Sequence, residues 1–213
     1  MKKFLLVILM LCMGWMVAEE HDMVMVTQAA QDGLERFLAL AEPMMLEQMG
    51  VKDRAEVRAA SLGKPFQMHV ITPQALDSYC EGNSVDSLLK AMDSYYFPVL
   101  LQGEIKSFLV VALMEEKWEA VSFGYLPLAQ EVNRLLLQRQ DREHPCLAVM
   151  FQARAYLYSV RGERMENLSP LIYGVGVDKS YRELQSLGST VKILKKMVKD
   201  YAEEDMQYSQ KNQ

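Results

Sequence analysis

The stretch SFLVVALM, residues 107–114, constrains the fold more than any other part of the chain, because as a strand it would be apolar on both faces. Successive side chains of a strand point to opposite sides. Phe108, Val110, Ala112 and Met114 therefore face one way and Leu109, Val111 and Leu113 the other. A sheet with one wet face alternates apolar with polar residues, so this strand is expected inside a sheet covered on both sides. Turn signals bound it: Gln102–Gly103 before and Glu115–Glu116 after divide YYFPVLL, EIKSFLVVALM and KWEAVSFG. Three strands joined by two short turns read as an antiparallel meander over residues 95–124.

Other segments can add to this sheet. PFQMHVI reads as a strand. Thr72–Pro73 after it is a cap and first-turn pair that opens a short helix through Leu76 and Tyr79. SVDSLLKAM has the spacing of another short helix. CLAVMFQARAYLYSV reads as one long strand whose second half is amphipathic, and SPLIYGVGV as an edge strand, since Pro170 and its glycines do not suit a sheet centre.

Helical periodicity governs the two ends. Ala30, Leu34, Phe37, Leu38, Ala41, Met45 and Met49 share one helix face, interrupted at Pro43, which removes a backbone donor and opens a second helix. VKDRAEVRAASLG adds a short helix that Gly63 and Pro65 end. Pro127 is expected to start a helix carrying Leu128, Val132, Leu135 and Leu136, which ends before Pro145. From Lys179 to about Asp205, Leu184, Leu187, Val191, Leu194, Val198 and Tyr201 make a heptad seam. The expected class is α+β: an antiparallel sheet of about five strands around the 95–124 meander, covered by helices, with helical N- and C-terminal extensions.

The first residues, MKKFLLVILMLCMGWMVAEEHD, place two lysines before an uncharged apolar run of fifteen residues and an acidic stretch. That is the form of a signal peptide, and the run is shorter than the roughly 20 residues of a membrane-spanning helix. The expected layout is a signal peptide over 1–18, a helical segment over 19–63, an α+β core over 64–178, an amphipathic helix over 179–205 and a disordered tail over 206–213. The expected location is outside the cytoplasm, periplasmic or secreted, with membrane contact only through an uncleaved leader. The seam of the last helix needs a partner, either the domain itself or a second copy in a homodimer.

A net charge of −5 argues against nucleic acid as a partner. Lys192, Lys195, Lys196 and Lys199 crowd one side of the last helix, but the acidic residues that follow cancel much of their field, and they read as a solvated face. Tyr95, Tyr96, Tyr156 and Tyr158 suit either a recognition surface or the rim of a core. No Ser-centred elbow, paired-cysteine zinc motif or phosphate-binding glycine loop occurs in the sequence, and no cofactor is expected.

Two constellations carry chemistry. His21, Met23 and Met25 supply imidazole and thioether groups that suit Cu(I). Cys80, His69 and His144 are the residue types of a cysteine hydrolase, in which an imidazole activates a thiol. Beyond the leader only Cys80 and Cys146 remain, and a disulfide between them is open on sequence grounds. The functional expectation is an exported, non-catalytic binding or interaction protein of a bacterial cell envelope, its partner a protein, a peptide or a small molecule. The alternative is a cysteine-dependent hydrolase using Cys80 with His69 or His144.

Overall fold

A computed structural model of the protein describes residues 22–48, 54–138, 146–160, 167–172 and 186–211. The signal peptide over 1–18, His21, His144 and Leu184 lie outside the described residues. The protein is an α+β fold built on one mixed, mostly antiparallel sheet.

Helix α1 (residues 22–40) buries Val26, Ala30 and Leu34, the four-residue spacing that keeps side chains on one helix face. Pro43 opens α2 (Pro43–Gln48) after a two-residue break, and α3 (Arg54–Val57) is a single turn. The sheet strands follow: β1 (Ser61–Leu62), β2 (Phe66–Val70), β3 (Lys90–Leu101), β4 (Glu104–Met114) and β5 (Lys117–Gly124). Between β2 and β3 stands α4 (Pro73–Ser78), whose Thr72 cap accepts a hydrogen bond from the Ala75 amide at 3.2 Å. Then come α5 (Leu126–Gln138), β6 (Cys146–Met150), β7 (Ala155–Val160), β8 (Asn167–Ile172) and α6 (Leu187–Lys211).

Strands run in the order β5-β4-β3-β2-β6-β7-β8, with β1 beside β3. The meander is present as expected. Gln102 and Gly103 (φ 54° and 82°) form its first turn, and Glu115 and Glu116 (φ 46° and 70°) its second. The sheet exceeds the expected five strands for identifiable reasons. Residues 146–160 are two strands, because Phe151–Ala153 form a 3₁₀ turn and Arg154 takes the left-handed conformation (φ 48°), folding β7 back on β6 with Met150 opposite Ala155. Gln152 and Arg154, which look like the wet face of one strand, are the exposed turn. SVDSLLKAM gives only a 3₁₀ turn at Val85–Ser87 before β3 starts at Lys90, five residues ahead of the expected meander. Pairing of β2 with β6 is parallel, with Met68 opposite Leu147, and makes the sheet mixed.

Both faces are covered, by three apolar clusters. One side of β3, β4 and β5, with Phe97, Val99, Leu109 and Val111, packs under α1. On that side Gly33 meets Ala120 so closely that a Cβ would collide with the alanine methyl. The Arg36 guanidinium donates to the Ala120 carbonyl, and Phe37 stacks on Phe123 at 5.9 Å between ring centroids. Further along the same side, Ala148, Met150 and Leu157 pack with α4 and α6. The opposite side carries Met68, Tyr96, Phe108, Val110, Leu147 and Tyr158 beneath Leu128, Val132 and Leu135 of α5. Asn133 ties α5 to the sheet, its side-chain amide donating to the Ile105 carbonyl at 2.6 Å and accepting from the Ile105 amide at 3.1 Å.

Double coverage of β4 stops short of its end. Phe108 to Val111 are buried, whereas Leu113 and Met114 are 40% and 48% exposed. The seam of α6 is buried at Leu187, Val191 and Leu194, with Met197 added to it, and the helix runs to Lys211 into the stretch expected as a disordered tail.

Candidate functional site

Two features of the α1 side of the sheet concentrate chemistry. The first is a cleft of about 900 Å³ between α1 and the segment that runs from α3 through β1. Helix α1 turns Thr27, Gln31, Leu34, Glu35 and Leu38 toward it; Val57, Arg58, Ala60, Leu62 and Pro65 form the facing wall, and Phe97 of β3 lies between. The sequence makes this cleft because β1 is only two residues long. Gly63 donates its amide to the Pro98 carbonyl at 2.7 Å, so the chain stays on β3 there, and Gly63 packs its backbone on the Pro98 ring. Its lining is mostly apolar with a few polar groups. Among the described residues neither Glu35 nor Arg58 is in an ion pair.

The second feature is a thiol–imidazole pair. Cys146 Sγ lies 3.1 Å from His69 Nδ1. The parallel pairing of β2 with β6 sets His69 opposite Ala148, and Cys146, two residues before Ala148, shares that face of the sheet. In strand order β2 falls between the cluster under α1 and the cluster under α6. There the sheet presents exposed Gln67 and half-buried His69, and the neighbouring Ala91 and Asp93 of β3 are also exposed. Cys146 itself is 8% exposed. Two backbone groups flank the pair, the Gln67 carbonyl 3.2 Å from Nδ1 and the Leu147 carbonyl 3.8 Å from Sγ.

The expected thiol at His69 was Cys80, and the structure puts Cys146 there instead. Cys80 is exposed beyond the end of α4, with its thiol 3.8 Å from the Ser78 carbonyl. The two cysteines do not form a disulfide. Nothing in the spacing of the sequence signals the His69–Cys146 contact, because it depends on the parallel adjacency of two strands 77 residues apart. Of the residues considered for a soft metal, Met23 is partly buried against the cluster under α1 and Met25 is 41% exposed. Two positions apart on a helix, they point to nearly opposite sides.

Tyrosines gather on the other side of the sheet. Tyr96 and Tyr125 lie 5.5 Å apart and Tyr125 and Tyr156 6.5 Å apart between ring centroids. Burial, with the neighbouring Tyr156 and Tyr125 hydroxyls, holds the Tyr96 phenol well above the ordinary tyrosine range, and burial raises Tyr156 as well. Tyr96 and Tyr158 are core residues; Tyr95 is partly buried beside Trp118, at 5.5 Å between centroids. On α6, Lys196 pairs with Asp200 at 2.6 Å within the helix surface, as a solvated face does. Among the described residues no helix is long and apolar enough to cross a membrane. Compared with known proteins, the chain matches no family model, no characterised protein and no solved structure, so its own geometry carries the functional argument.

Proposed function

We propose that this chain is an exported, non-catalytic binding protein of a bacterial cell envelope that takes a small amphiphilic ligand or a short peptide into the cleft beside α1. One observation carries the reading: the 900 Å³ cleft has the volume and mostly apolar lining of a small-ligand site. Leu34, Leu38, Val57, Leu62 and Phe97 supply apolar surface, while Glu35 and Arg58 offer one charge of each sign to the ends of a ligand. Such a lining selects a molecule with an apolar body and polar or charged termini. The signal-peptide form of residues 1–18 supports export.

The test uses an environment-sensitive apolar dye, anilinonaphthalene sulfonate, as the probe. One-to-one binding in the micromolar range is expected, lost in Ala60→Trp, which fills the cleft, and in Leu38→Glu, which charges its wall. Both variants should keep their denaturation midpoints, since Ala60 and Leu38 are only partly buried. If the dye binds the wild type and Ala60→Trp equally, the cleft is not the site.

A further inference from the structure

We propose that Cys146 and His69 form a peroxide-reacting thiol site, separate from the ligand cleft. The contact of 3.1 Å between Sγ and Nδ1 lets the imidazole take the thiol proton, and the thiolate is the nucleophilic form of cysteine. The neighbourhood selects the reaction. Cys146 is 8% exposed, a setting that favours a small oxidant over a bulky acyl substrate. Displacement at a peroxide oxygen needs only a thiolate with a line of approach and a proton for the departing oxygen.

The step balances within the pair. Cys146 sulfur attacks the terminal oxygen of a hydroperoxide, the S–O bond forms and the O–O bond breaks. The departing alkoxide or hydroxide takes the proton from the His69 imidazolium and leaves as alcohol or water. Sulfur is oxidised by two electrons to a sulfenic acid, the peroxide is reduced, and His69 ends neutral. The exposed stretch at Gln67, Ala91 and Asp93 offers small peroxides an approach between the two helical covers. Burial of Cys146 hinders a bulkier second thiol from reaching the product.

Cys80 is a built-in control. If exposure set reactivity, Cys80 would react first, because it is the exposed thiol and Cys146 the buried one. The protein is treated with hydrogen peroxide at pH 6.5, sulfenic acid is trapped with dimedone, and the two cysteine peptides are quantified by mass spectrometry. Cys146 is expected to be labelled about tenfold faster than Cys80, and His69→Gln is expected to remove that preference while leaving the Cys80 rate unchanged. Equal or faster labelling of Cys80 in the wild type overturns the proposal, as does a His69→Gln variant that retains the preference. Should His69→Gln not fold, the wild-type labelling ratio decides together with His69→Asn: a Cys146-to-Cys80 ratio of one or below, or a folded His69→Asn variant that keeps the preference, overturns the proposal.

Discussion

Tyr96 shows how one residue can tie a fold to pH. Tyr96 is 8% exposed, with Tyr125 and Tyr156 as neighbours, and burial is the main reason its proton is held so tightly. Up to about pH 10, the ordinary tyrosine value, folded and unfolded chains both carry that proton and the stability linked to it is fully present. Above that pH the unfolded chain releases a proton the folded chain keeps. Stability then falls by about 1.4 kcal/mol per pH unit for Tyr96. Urea midpoints measured from pH 8 to pH 11 should be level to about pH 10 and then drop, and Tyr96→Phe should flatten the drop at a cost of about 1 kcal/mol at neutral pH for the lost hydrogen bonds. A Tyr96→Phe variant with an unchanged alkaline slope would show that another group sets it. The tyrosine itself was visible in the sequence, but its place was not: a phenol in an apolar strand suits a rim and a core equally, and only the neighbours contributed by α5 and β7 decide.

At the scale of elements, what was legible followed local rules. The meander could be read because its turns and doubly apolar middle strand are consecutive in the chain, and the Thr72 cap and the break at Pro43 because each acts within a few residues. What escaped was non-local or balanced between alternatives. Phe151–Arg154 carries neither the Gly nor the Pro of a usual turn, and the reversal there depends on Arg154 in a left-handed conformation, with its guanidinium over the Tyr201 ring at 4.7 Å on α6. The His69–Cys146 pair needs the parallel contact of β2 with β6, which no short window contains. The α6 seam was legible as a seam, and the structure shows it packed on the β6 and β7 side of its own sheet. Leu194 is fully buried there. Leu194→Asp leaves a charge without apolar partners and a smaller side chain in the gap, so a loss of about 3–5 kcal/mol is expected. Denaturant unfolding measures the loss, and sedimentation under folding conditions should return the wild-type mass. A variant that keeps its stability but changes its mass would move the seam to an interface between copies.

Across the whole molecule, the cluster under α5 binds the two ends of the sheet together. It draws Phe108 and Val110 from β4, Tyr96 from β3, Met68 from β2, Leu147 from β6 and Tyr158 from β7 into one packed layer. The opposite side is divided, with α1 over the β3–β5 end and α6 over the β6–β7 end, and β2 carries polar Gln67 and His69 between them. Independent unfolding of either end would therefore tear the shared layer and expose apolar surface at roughly 25 cal/mol per Å². The two ends should unfold as one cooperative unit. Each end carries its own reporter: Trp118 is packed in the cluster under α1, and the Cys146 thiol is buried beside the cluster under α6. Urea transitions followed by tryptophan fluorescence in a Trp15→Phe background and by Cys146 alkylation in a Cys12→Ser, Cys80→Ser background should share one midpoint and one slope. Val132→Asp, at the centre of the α5 face, should lower both midpoints together. A Trp118 transition that runs ahead of Cys146 exposure in the wild type would mean that the β3–β5 end opens while the β6–β7 end stays closed, and the shared layer would then be too weak to couple them.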